Sequence, residues 1–307
     1  MNIDQVIERY AEQRANPRQG GAVEWRAGNV FCVGPAIYSY GFHFPMAYYL
    51  GKERGESLFL LNGDRYSSST SGHQAGVRSA CPGFTVAFSA LRSAGVDASA
   101  IELADVIDRT PDVFAHLERD NAKSPWRRTE GGDFEVPKVG EVRVSGKPDE
   151  YQSGYFHAPG AALLRSGKRR LLCTTDEGTY CVMELRGNPR TVAEAFESLK
   201  PAVVRGYEEH GEAVRRQGEW YFIPCLPPEG RSKAQQIALP RRNDAGNLHV
   251  CVGLLKPHGI FAKGNVYHRN ERGRRTGQHR TLPLGAQWHL AYRNTERGSW
   301  TAGGRVD

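Results

Sequence analysis

The sequence predicts an α+β fold: an N-terminal mixed α/β part, followed by a strand-rich antiparallel sheet or partial barrel with one or two helices. Three observations carry this. Glycine is frequent, at 35 of 307 residues, which favours many turns over a helical bundle. Helical apolar spacing is concentrated in the first 120 residues. Short apolar runs of strand length, closed by Gly, Asn, Asp or Pro, dominate after residue 160. With 39% hydrophobic and 24% charged residues, the chain has material for one large core or two ordinary ones.

Ile3, Val6, Ile7 and Tyr10 fall at helical spacing and predict a first helix. Asn29–Ile37 reads as a strand. Pro45 is placed to open a short helix over Met46–Leu50. Ser57-Leu58-Phe59-Leu60-Leu61 reads as a buried strand, followed by a hydroxyl-rich loop and a helix beginning near Gly72. Helical spacing continues through Phe84–Leu91 and Ile101–Leu117, with Pro111 breaking the second.

Residues 121–153 are polar and rich in Gly, Pro and charge, and read as a connection with room for one hairpin. They separate a part spanning 1–120 from one spanning 154–307. In the latter, AALLRSG, RRLLCTT and TYCVMEL are strands with turns at Ser166-Gly167 and Glu177-Gly178. Thr191 and Glu194 have capping-box spacing for a helix from Val192 to about Lys200, and Pro201 can open another. Glu219–Pro224, Leu248–Leu255, Ile260–His268 and Trp288–Tyr292 complete the strand set.

The charge is uneven. From Leu226 to Asp307 there are 14 Lys/Arg against 5 Asp/Glu, a net of +9; the other 225 residues hold 27 against 29, a net of −2. A basic excess confined to one quarter and interleaved with strands points to DNA or RNA as partner before anionic lipid. No apolar run approaches the roughly 20 residues that span a bilayer. The charged N-terminal helix lacks a signal-peptide core, so the expected location is cytoplasmic, with no membrane partner. The six cysteines form no C-x-x-C pair and sit in apolar segments, as reduced buried thiols do.

The stretch Tyr38–Gln74 is densest in reactive side chains. His43, Asp64 and His73 are candidate catalytic residues: either histidine as general base, with Asp64 orienting it or joining a facial site for a divalent metal. The plainer alternative has the histidines bonding backbone and Asp64 in an Asx-turn. Arg65, Ser69, Thr70 and Ser71 are candidate phosphate ligands, with Arg78 placed to flank them, because hydroxyls at a helix start combine exposed amides with positive potential. The alternative there is a simple N-cap. Gly-Lys-Ser/Thr, Gly-x-Ser-x-Gly and Glu-x-Glu are all missing, which excludes a P-loop, a serine-hydrolase elbow and the ADP-ribosyltransferase signature. In the basic quarter, Arg272, Arg274, Arg275 and Arg280 form a loop suited to nucleic-acid backbone. His249, His258, His268, His279 and His289 recur at gaps of 9 to 11 residues, a period that could align them across an antiparallel meander, the plainer alternative being a basic face with histidines scattered by chance. Tyr267, Trp288 and Tyr292 could offer stacking rings, with Trp288 equally suited to a core.

Together YSYGFHFPMA, NGDRYSSSTSGHQ, RRQGEWYFIP and WHLAYRNTE resemble a family of bacteriophage, plasmid and actinobacterial proteins of unknown activity. The resemblance covers most of the chain and implies a mobile-element context, with no chemistry attached. The leading expectation is a nucleic-acid-binding or nucleic-acid-processing protein. A small-molecule enzyme acting on a nucleotide or phosphorylated metabolite, and an interaction protein with a basic surface, are the alternatives.

Overall fold

In the computed structural model, residues 1–12, 25–132, 134–136, 141–176, 179–230, 233–240, 248–269, 281–294 and 300–302 are described. The fold is α+β, as the sequence predicts: a mixed sheet with helices, then antiparallel sheets, with no closed barrel among the described residues. Contacts divide the chain into unit 1, residues 1–195 with 298–307, and unit 2, residues 196–297.

Unit 1 is built around the strand β5 (Glu56–Asn62). Its run of four apolar residues is explained by burial on both faces. Leu58 and Leu60 enter one apolar cluster, while Phe59 and Leu61 enter another, as the two-residue period of a strand requires. The sheet order is β1 (Trp25–Ala27), β2 (Val30–Val33), β3 (Ala36–Ser39), β4 (Pro45–Glu53), β5 and β6 (Gly83–Val86). Only β5 and β6 are parallel, and a parallel pair needs a crossover. Helix α2 (Ser68–Ala80) supplies it. Helix α1 (Ile3–Glu12) puts Val6, Ile7 and Tyr10 into the cluster of Phe59 and Leu61.

The opposite face of β5 shares its cluster with helix α3 (Phe88–Ser93) and with a second sheet. That sheet runs β21 (Trp300–Ala302), β14 (Thr179–Glu184), β13 (Arg169–Asp176), β12 (Ala162–Ser166), β7 (Val106–Arg109). A third, four-stranded sheet is ordered β10 (Glu141–Ser145), β11 (Gln152–Ala158), β8 (Val113–Arg119), β9 (Arg127–Arg128). The stretch 121–153, read as a connection, thus contributes β9, β10 and the start of β11.

Two helices expected from the sequence are strands. Met46–Leu50 lies inside β4, where Met46, Ala47, Tyr49 and Leu50 are buried and the strand pairs with β3 and β5 through Ala47, Tyr48 and Tyr49. Pro45 begins a strand as readily as a helix, since its N–H is absent in either case, and the adjacent tyrosines suit a sheet. Ile101–Leu117 gives one short 3-10 turn, then β7 and β8. Its apolar spacing reports two strands that serve different sheets, with Pro111 between them. Phe84–Leu91 divides between β6 and α3.

Unit 2 is one antiparallel sheet ordered β15 (Arg215–Gln217), β16 (Trp220–Cys225), β20 (Leu282–Arg293), β19 (Gly259–Arg269), β18 (Leu248–Lys256), β17 (Gln235–Ala238). Helix α4 (Val192–Ser198) enters it and α5 (Ala202–Glu209) follows. Five of the six cysteines are buried, and all six are free thiols. Burial pushes Cys32 and Cys251 up to about 12, which keeps them as unreactive thiols at neutral pH.

Candidate functional site

Strand β5 ends in Asn62-Gly63-Asp64, and the chain turns there because the Asn62 side chain accepts the Asp64 amide at 2.8 Å. Ser67 then caps α2, its hydroxyl accepting the Thr70 amide at 3.2 Å. The helix therefore starts four residues before Gly72. Ser71, Gln74 and Arg78 follow at spacings of three and four, which places them on one face of α2. That face and the Gly63-Asp64-Arg65 turn line a cavity of about 50 Å³ in unit 1.

The other wall comes from strands distant in sequence. Arg143 and Tyr155 are direct cross-strand partners on β10 and β11, and the guanidinium stands over the ring at 6.0 Å. His157 follows Tyr155 by two residues and so shares its face. Tyr180 of β14 completes the lining. Three guanidinium groups, Arg65, Arg78 and Arg143, thus meet at one cavity. Arg78 donates from Nη2 to the Asn62 carbonyl at 3.0 Å, and its Nε is buried without a hydrogen-bond partner. Burial holds the Tyr180 phenol well above its ordinary value, opposed by the nearby Arg78 and Arg65 charges. It stays a neutral hydroxyl at physiological pH.

Behind His157 lies Asp112. Its Oδ2 accepts His157 Nε2 at 2.9 Å and the Thr85 hydroxyl, while Oδ1 accepts the amides of Gly160 at 2.8 Å and Thr85 at 3.2 Å. Both side chains are nearly buried, His157 at 10% and Asp112 at 8% exposure. A carboxylate can only accept, so Nε2 carries the proton toward Asp112. Nδ1 is then the ring nitrogen left for chemistry.

The residues singled out from the sequence are divided by the structure. Arg65 and Ser71 line the cavity; Ser69 is exposed on the first turn of α2, and Thr70 is buried against Ser67 and Ser39. Asp64 lines the cavity, but its carboxylate accepts the amide of Ser89 at 2.7 Å together with the Ser89 hydroxyl. It caps the free amides at the start of α3. Burial raises its pKa, and the Ser89 bonds hold that rise back. His73 shares a 2.8 Å hydrogen bond between Nδ1 and the Ser39 hydroxyl, and burial lowers its pKa. His43 is exposed beside the Tyr66 ring. Among the described residues, no three His, Cys, Asp or Glu side chains are placed to hold one metal ion.

Sequence reading missed Arg78 as more than a flank, and missed Arg143, Tyr155, His157, Tyr180 and Asp112 altogether. The available signals were weak: an isolated histidine in Tyr155-Phe156-His157, and an aspartate directly after Pro111.

On the adjoining face of α2, the Tyr40 ring lies 6.0 Å from that of His73. Tyr40 has φ 65°, an uncommon conformation for a non-glycine residue, and is 48% exposed, with Phe42 at 65%. Phe42 packs edge-on against Phe31 and Tyr38, and Arg26 covers Phe31 at 4.5 Å.

In unit 2, the predicted histidine alignment is partly realised. His249 and His268 are cross-strand partners with ring centroids 3.9 Å apart, and His289 is buried on β20. Tyr267 is buried and bonded by Gln236, Tyr292 joins the cluster under α5, and Trp288 lies beneath the Lys263 ammonium at 4.7 Å. Arg272, Arg274, Arg275, Arg280 and His279 lie outside the described residues. No helix among the described residues is long and apolar enough to cross a membrane. Comparison with protein-family profiles, curated proteins and solved structures finds no match to this chain.

Proposed function

We propose that this chain is a nucleic-acid-binding or nucleic-acid-processing protein that holds phosphate in the cavity of unit 1. The observation that supports the reading most is the convergence of Arg65, Arg78 and Arg143 on one small cavity. Guanidinium groups form short, charge-assisted bonds to phosphoryl oxygens. Ser71 and Tyr180 add neutral hydroxyls, which can donate to the same oxygens. A cavity of about 50 Å³ has room for a few water-sized groups, which is the scale of one phosphoryl group and too small for a base. The rest of the ligand would lie outside it. Exposed rings at Tyr40 and Phe42 are of the kind on which unpaired bases stack, and the net +9 of the last quarter suits a long polyanion.

Labelled single-stranded and duplex DNA and RNA titrated across a salt series test this. Binding whose logarithm falls linearly with the logarithm of salt, with a slope of several units, is expected. Arg143→Ala should weaken it. Absence of binding at low salt overturns the reading. The small cavity also favours a second reading, in which the ligand is a free nucleotide or phosphorylated metabolite. Thermal stabilisation by such a ligand without oligonucleotide binding would select it.

A further inference from the structure

We infer that the cavity is a phosphodiester-cleaving site in which His157 is the general base and Asp112 its positioning residue. The inference rests on the phosphate-binding reading above and adds a reaction to it. Three features of the geometry converge. His157 is the one imidazole among the described residues lining the cavity, which it shares with three guanidinium groups. Its Nε2 is fixed by the buried Asp112 carboxylate at 2.9 Å, the arrangement that sets a catalytic tautomer. Asp112 is itself held by the Thr85 hydroxyl and the amides of Thr85 and Gly160, so the imidazole is oriented through a rigid, hydrogen-bonded anchor.

The other acid–base candidates are committed elsewhere. Asp64 bonds Ser89, and His73 bonds Ser39. Gly160 cannot be enlarged without displacing this anchor, because a Cβ there would come within 1.9 Å of the Thr110 carbonyl.

The step needs only water as co-reactant. Nδ1 of His157 takes a proton from water as its oxygen bonds to phosphorus. The P–O bond to the leaving alkoxide breaks, and the imidazolium returns the same proton to that oxygen. The products are a phosphomonoester and an alcohol. Arg65, Arg78 and Arg143 hold the non-bridging oxygens, whose charge rises in the transition state.

The full chain, His157→Gln and Asp112→Asn are compared on fluorescein-labelled RNA, single-stranded DNA and bis-nitrophenyl phosphate, with and without magnesium. Inorganic phosphate in a thermal melt reports the anion site separately. Phosphate should stabilise all three proteins. His157→Gln should cut cleavage by about a hundredfold or more. Asp112→Asn keeps the shape but offers an amide N–H to Nε2, which moves the ring proton to Nδ1. It should lower kcat with KM little changed. Should His157→Gln melt early, Asp112→Asn carries the test, and a kcat within a few-fold of wild type overturns the inference. So does cleavage by a folded His157→Gln within a few-fold of wild type. A wild-type protein that phosphate stabilises, yet that cleaves none of the probes, overturns the cleavage and leaves phosphate binding standing. Failure of both cleavage and phosphate stabilisation overturns the two together.

Discussion

Tyr180 rests so closely on Gly63 that a Cβ added at Gly63 would meet three ring atoms at 2.8 to 2.9 Å. The glycine is required for this contact and not for an unusual φ. Gly63→Ala must therefore push the ring away from the turn or shift the turn itself. Overpacking of this kind costs about 1–3 kcal/mol, read as a lower urea midpoint. Because Tyr180 lines the cavity, phosphate should also stabilise the variant less than wild type.

The three arginines should be separable by salt. Removing one phosphate contact reduces the log–log salt slope by about 1, so Arg78→Ala and Arg143→Ala are each expected to flatten it by that amount. Arg109, which pairs with Glu53 at 2.7 Å away from the cavity, supplies the control. Arg109→Ala should leave the slope unchanged. Equal slopes in all three variants would remove the cavity from the binding surface.

Asp112 ties β6 and β11 together through four donors. Asp112→Ala leaves the Thr85 and Gly160 amides and the His157 Nε2–H without their acceptor. Buried orphan donors cost about 1–3 kcal/mol each, partly relieved by water, so a loss of about 2–5 kcal/mol is expected in denaturant melts. Asp112→Asn retains an oxygen for the two amides and should lose less than half as much. If the two variants melt alike, the network is not what holds these strands.

His73 should make stability depend on pH. Burial lowers its folded pKa, so below the ordinary value of about 6.5 the unfolded chain takes up a proton that the folded chain refuses. Its contribution is complete above that value and is lost as pH falls through it toward the lower folded pKa. His289, lowered by burial and by Arg215, acts in the same window. The informative quantity is thus the stability of wild type minus that of His73→Gln, which should shrink between about pH 7 and pH 5. A difference flat with pH would refute it.

The strands were legible where one rule sufficed. TYCVMEL and LHVCVGLL carry β-branched and apolar residues between turn signals, and they form β14 and β18. Met46–Leu50 was not legible, because Pro45 is compatible with either element and the neighbouring strands decided. For the site, Arg65 and Ser71 were found because they lie in one polar stretch. Arg143, Tyr155, His157 and Tyr180 come from strands far along the chain, and only the pairing of β10 with β11 brings Arg143 and Tyr155 level. Asp112 was hidden for a related reason: beside Pro111 it reads as a chain-breaking residue, and its three partners are 27 to 48 positions away.

Strand β21 pairs Trp300, Thr301 and Ala302 with Met183, Val182 and Cys181 of β14, and all of unit 2 lies between them in the chain. A ribosome therefore releases β14 long before its edge partner exists. At about 5–20 residues per second, that edge stands open for on the order of ten seconds of synthesis. During this interval the nascent chain exposes a row of unpaired amides and carbonyls, to which a neighbouring chain on the same message could add a strand.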